Sequence, residues 1–144
     1  MSILSVHIKV ICSAVDDVDL ICEAMVKLLH DDAELSVSSN KTYHGAIQFT
    51  IEAMATRKRD VRQLTGNLPK SMLTEILEEG LEKMMDDNKT LHFRLDLQEF
   101  VKGRVVLGKG IRANHPVKIR MKIESYPGQD PLQVAEEYFS GLGS

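Results

Sequence analysis

From Lys102 to Lys122 the chain carries seven basic residues, Lys102, Arg104, Lys109, Arg112, Lys118, Arg120 and Lys122, and no acid. The chemistry open to such a run is the neutralisation of an anion held along it, phosphate above all. The last three stand at alternate positions of Val117-Lys118-Ile119-Arg120-Met121-Lys122-Ile123, whose remaining positions are apolar. In a strand they project from one side, about 6.6 to 7 Å apart. That interval is comparable to the spacing of phosphates along a nucleic-acid strand, so a backbone could follow it without its sequence being read. A solvated sheet face whose cations discourage edge pairing, or bridge to Glu52 and Asp96, accounts for the same pattern. Charge alone does not choose between them.

Arg57, Lys58, Arg59 and Arg62 form a second basic cluster, broken only by Asp60, while Glu75, Glu78, Glu79 and Glu82 make the next helix acidic. The net charge is −3, so any anion-binding role rests on this local segregation. The chain has only 5% aromatic residues. That scarcity points to phosphate or shape recognition rather than a base-stacking platform.

Other motifs lead away from catalysis. Gly103 to Lys109 nearly spells a phosphate-binding loop, but Gly110 replaces the hydroxyl residue that would hold magnesium, and a proline and a strand follow instead of a helix. Gly108-Lys109-Gly110-Ile111-Arg112-Ala113 matches the dinucleotide fingerprint and fails for the same want of a helix. His7, His30, His44, His92 and His115 show no metal-ligand spacing with one another or with Cys12 and Cys22. The doubled acids fall where helix caps and polar helix faces are expected. No nucleophile elbow or reactive-cysteine signature is present. The expectation is a protein that is not an enzyme and holds no cofactor or metal.

The elements that would position the cations follow from periodicity. Val6 to Cys12, Leu35 to Ser39, Ile47 to Ala53, Thr90 to Asp96 and Val117 to Glu124 read as strands, with Gly103 to Leu107 as a short irregular one. Helices are expected after a cap at Asp16 or Asp17 with an end at Asp31-Asp32, after Thr56, after Ser71 and running through Met84 and Met85, and from the Asp130-Pro131-Leu132-Gln133 capping box. The clearest strands have one apolar and one polar face. This predicts an α+β fold with a single, largely antiparallel sheet of about five strands, helices on one face and the other face open.

At 144 residues and 43% hydrophobic, the chain is read as one domain, 1–144. No apolar run reaches the length of a membrane span, and the opening residues lack a secretory signal's features. Two cysteines without a disulfide pattern fit a cytoplasmic setting.

Arg94-Leu95-Asp96-Leu97-Gln98 with Gly103 and Arg104, Tyr43-His44-Gly45, the basic stretch from Arg57, and Ile119 to Ile123 with Tyr126-Pro127 together resemble the archaeal RNA-binding family described as a predicted exosome subunit. That family is similar in fold to the ribosomal protein that binds the small RNA of the large subunit. The resemblance implies RNA binding, association with RNA-processing or ribosome-assembly machinery and the proteins of such a complex as partners. Leu97 and Glu99 depart from the family pattern and make the loop beside Arg94 less positive. Asp96, Gln98 and Gly103 either support phosphate contact there or simply fix the loop, and the departures favour fixing it. The expected RNA-contacting residues are Lys102, Arg104, Lys118, Arg120, Lys122, Arg94, Arg57, Lys58 and Arg59. The alternative is a protein–protein adaptor or homodimer without RNA contact.

Overall fold

A computed structural model describes residues 3–13, 17–29, 34–108 and 117–142. Its strands are β1 (Ile3–Ser13), β2 (Ser36–Lys41), β3 (Ile47–Ala55), β4 (Thr90–Leu95) and β5 (Val117–Ile123). They form one sheet in the order β2-β3-β1-β5-β4, and every neighbouring pair is antiparallel. The helices are α1 (Val18–Leu28), α2 (Lys58–Gly66), α3 (Lys70–Glu79), α4 (Leu97–Val101) and α5 (Pro131–Leu142).

Alternation builds the two faces. Val6, Ile8 and Val10 of β1, Ile51 and Ala53 of β3, Phe93 and Leu95 of β4, and Ile119 and Met121 of β5 are buried in one core, with Phe49 packed against it. The helices bring Met25, Leu64, Ile76, Phe100 and Phe139 to the same cluster. Cys12 is fully buried there as a small hydrophobe. Cys22 is half-buried; burial, aided by the nearby Asp19, pushes its thiol up from its ordinary range. No helix among the described residues is long and apolar enough to cross a membrane.

Several local details differ from the expectation. Asp17 caps α1, accepting from the Leu20 N–H at 3.2 Å, while Asp16, Asp31 and Asp32 lie outside the described residues. Arg57, not Thr56, is the N-cap of α2 and makes no side-chain cap bond; Pro69 holds that position for α3 in place of Ser71. The helix expected to reach Met85 stops at Glu79 because Gly80 adopts φ +92°, and a 3-10 turn, Leu81–Lys83, follows. Asp130 caps α5 by accepting from the Leu132 N–H, but the Gln133 amide bonds Glu137 rather than closing a capping box.

The segment after Asp96, expected as a loop, contains the short helix α4. Asp96 caps it through the Glu99 N–H at 3.1 Å. Gly103, at φ +87°, closes it: its N–H bonds the Phe100 carbonyl and the Arg104 N–H reaches back to Glu99. This is the left-handed glycine termination that satisfies a helix's last carbonyls. The first glycine of the near phosphate-binding loop therefore ends a helix. Val106 to Gly108 then runs along the end of β4, with Asp96 N–H to Val106 and Gly108 N–H to Arg94 bonds of 2.9 and 2.8 Å. Lys109, Gly110, Arg112 and Ala113 fall outside the described residues. Asp96→Ala should cost about 1 kcal/mol by removing the cap, measurable as a lower midpoint in urea unfolding with an unchanged slope.

Candidate nucleic-acid interface

The pairing register decides which cations meet on the open face. Lys9 of β1 pairs with Lys118 of β5, and Lys118 pairs in turn with Arg94 of β4. Glu52 of β3 lies on the far side of Lys9. The next row runs Met54, His7, Arg120, His92, and the one beyond it runs Ser5, Lys122, Thr90. Five cations, Lys9, Arg94, Lys118, Arg120 and Lys122, thus share three adjacent rows with one acid, Glu52.

Like charges directly opposite one another on neighbouring strands destabilise a sheet. Lys118 has a cation on each side, and a face selected only for solubility would alternate signs instead. Lys118, Arg120, Lys122, Arg94 and His92 are exposed and Lys9 is half-buried. Lys9, His92, Arg94, Lys118 and Arg120 line a shallow depression of about 370 Å³.

Two histidines hold the face in place. Arg120 Nη2 donates to His7 Nδ1 at 2.8 Å, and His7 Nε2 donates to Glu52 Oε2 at 3.2 Å. With Nδ1 accepting from Arg120 and Nε2 donating to Glu52, the ring relays the carboxylate to the guanidinium and anchors Arg120. His92 Nε2 lies 2.7 Å from Asp86 Oδ2. That bond, with the Thr90 and Asn88 N–H groups, holds the Asp86 carboxyl below its ordinary range.

Of the residues expected from sequence, Arg94, Lys118, Arg120 and Lys122 are brought together here. Arg57, Lys58 and Arg59 are not in these rows. Arg57 follows Ala55 at the sheet end that carries Lys122, and α2 then packs over β1 and β3 on the covered face. Lys102 and Arg104 stand apart as well. They belong to the end of α4, where Gly103 and Val105 line a groove with Ala24, Lys27 and Leu28 of α1. Arg104 Nη1 lies 3.4 Å from Glu99 Oε2, a partner that offsets its charge.

The alternation of Thr90 to Asp96 already sets His92 outward with Arg94, whereas sequence reasoning missed Lys9 and His7 as members of this face. The signal for Lys9 and His7 was the alternation of Val6-His7-Ile8-Lys9-Val10, read only for its apolar side. Among the described residues, no group of three His, Cys, Asp or Glu side chains could hold a metal ion.

A family model described as RNA binding matches residues 5–123, which take in nearly all of the sheet. No curated protein matches the chain. Among solved structures, the chain is similar to the DUF54 protein Mth689 of Methanothermobacter thermautotrophicus, with 21% identity, all of both chains covered and a TM-score of 0.79. It is also similar to AF2318 of Archaeoglobus fulgidus, another DUF54 protein, at 24% identity, with 97% of this chain and 99% of that one covered and a TM-score of 0.76. A UPF0201 protein of Methanococcus jannaschii shares 17% identity over 93% of this chain and 91% of its own, with a TM-score of 0.60. At these identities the likeness shows the fold.

Proposed function

This chain belongs to the RNA-binding family, and from that premise we propose that its open sheet face grips RNA by the phosphate backbone without catalysing a reaction. The observation that carries the reading is the lateral row Lys9, Lys118, Arg94, flanked by Arg120 and Lys122. Such a row is unfavourable in the free protein and becomes favourable once an anion lies across it. Phosphate contacts of this kind position a nucleic acid and carry little sequence information. The reading extends to a cytoplasmic role in RNA processing or ribosome assembly, with the proteins of such a complex as further partners.

The test is an affinity series against structured and single-stranded RNAs at increasing salt. Counterion release makes log K fall linearly with log salt, by about 0.7 to 0.9 for each phosphate neutralised. Three to five contacts predict a slope between roughly −2 and −4.5, similar across RNA sequences. Absence of RNA binding, or binding insensitive to salt, would contradict the proposal and turn attention to the protein–protein adaptor or homodimer.

A further inference from the structure

The basic face leaves Tyr43-His44-Gly45 unexplained. These residues form the tip of the hairpin joining β2 and β3. Tyr43 is 99% exposed. A tyrosine ordinarily hides most of its ring and finds a partner for its hydroxyl. Tyr138 follows that rule, its hydroxyl 2.9 Å from Thr65 Oγ1 and its ring edge-on to Phe139; Tyr126 is exposed as well, but its hydroxyl donates to Glu124. Among the described residues Tyr43 has neither support, and its one ring contact is the neighbouring imidazole of His44, edge-on with centroids 5.4 Å apart.

The tip is nevertheless well tied. The Thr42 N–H bonds the Ala46 carbonyl at 2.8 Å, the Gly45 N–H bonds the Thr42 carbonyl at 2.9 Å, and the Ala46 N–H bonds Thr42 Oγ1 at 3.2 Å. Gly45 supplies the φ of +85° that the turn needs. A turn hydrogen-bonded this closely presents the aromatic side chain from a fixed backbone. Lys41, exposed at the end of β2, adds a positive charge beside it.

We propose that Tyr43 is a stacking site for an unpaired nucleobase, holding a looped or single-stranded part of the RNA whose backbone lies on the basic face. The inference rests on the RNA-binding reading above and adds a second, uncharged contact to it. Geometry permits both at once. Glu52 pairs with Lys9, Ile47 is five residues along β3, and Tyr43 lies about two residues beyond the Lys41–Ile47 pair, so the tip is roughly 20 to 24 Å from the Lys9 row. A few nucleotides bridge that distance. Stacking is indifferent to base identity because every base offers a π-face, which suits a protein that otherwise touches phosphate.

The probes are a hairpin RNA with 2-aminopurine in an unpaired loop and a blunt duplex of the same stem. Binding to the loop should quench the 2-aminopurine emission as it stacks. Tyr43→Ala should abolish the quenching and weaken loop binding roughly ten-fold or more, while duplex affinity and the salt slope stay as they were. Tyr43→Phe, which keeps the face and removes the hydroxyl, should behave as the parent. Circular dichroism and thermal melting verify that the variants remain folded. If the parent binds with the predicted salt slope but Tyr43→Ala quenches and binds alike, the stacking site is overturned and the basic face stands. If the parent binds neither RNA, the reading beneath it fails and the stacking site falls with it.

Discussion

Replacing Lys9, Arg94 and Lys118 together by glutamine should lower RNA affinity on the order of 100-fold, taking about 1 kcal/mol for each lost phosphate contact. The loss should be uniform across sequences, and the salt slope should shrink by about two to three units. Stability should move the other way. Lys118 is flanked by Lys9 and Arg94, so Lys118→Gln alone removes two like-charge contacts and should stabilise the fold by several tenths of a kcal/mol. A gain in stability coupled to a loss in binding is what a binding surface held against local repulsion produces. Glutamine at Glu75, Glu78 and Glu82 of α3 is the matched control and should not weaken binding. If the triple variant keeps its affinity and slope, the face is a solvated surface.

Phe139→Ala should cost about 3 to 5 kcal/mol, well beyond the effect of any substitution on the open face. Phe139 has no exposed surface and meets Phe93 edge to face, with centroids 5.9 Å apart. Through it α5 is fastened to β4, and the same helix packs on α3, the 3-10 turn and β5. Removing the ring leaves a cavity in the core that its surroundings close only in part. Domains of this size have about 5 to 15 kcal/mol in total, and each kcal/mol moves the midpoint by roughly 2 to 4 °C, so thermal unfolding should drop by about 10 °C or more. Phe139→Leu, keeping most of the volume, should cost markedly less. A Phe139→Ala midpoint within about 2 °C of the parent would mean that α5 is not part of the core.

Much of this architecture was legible in the chain. Val117 to Ile123 and Thr90 to Leu95 alternate strictly, and strict alternation fixes both the strand and the face each residue takes. The apolar spacing from Val18 to Leu28 likewise announced α1. Local patterns said less where two rules competed. Leu81, Met84 and Met85 continue the helical spacing of α3, but Gly80 takes a positive φ and breaks it. Leu97 to Val101 is too short for periodicity to register, and its helix is held by its ends, Asp96 and Gly103.

The candidate site was half legible. Lys118, Arg120 and Lys122 share a face by alternation alone, and Arg94 lies on the corresponding face of its own strand. Their union with Lys9 depends on the pairing of residue 9 with residue 118, a long-range register that no local window contains. The same gap let Lys102 and Arg104 pass as neighbours of the basic strand. They are close to it in sequence, yet α4 carries them towards α1.

The central claim is that RNA lies on the open sheet face, and mapping amide shifts by NMR as RNA is added tests it most directly. The largest changes should fall at residues 7–9, 92–94 and 118–122, fading as salt is raised. Changes confined to Arg57, Lys58 and Arg59 at the start of α2, or to the groove between α1 and α4, with the sheet face unmoved, would contradict it.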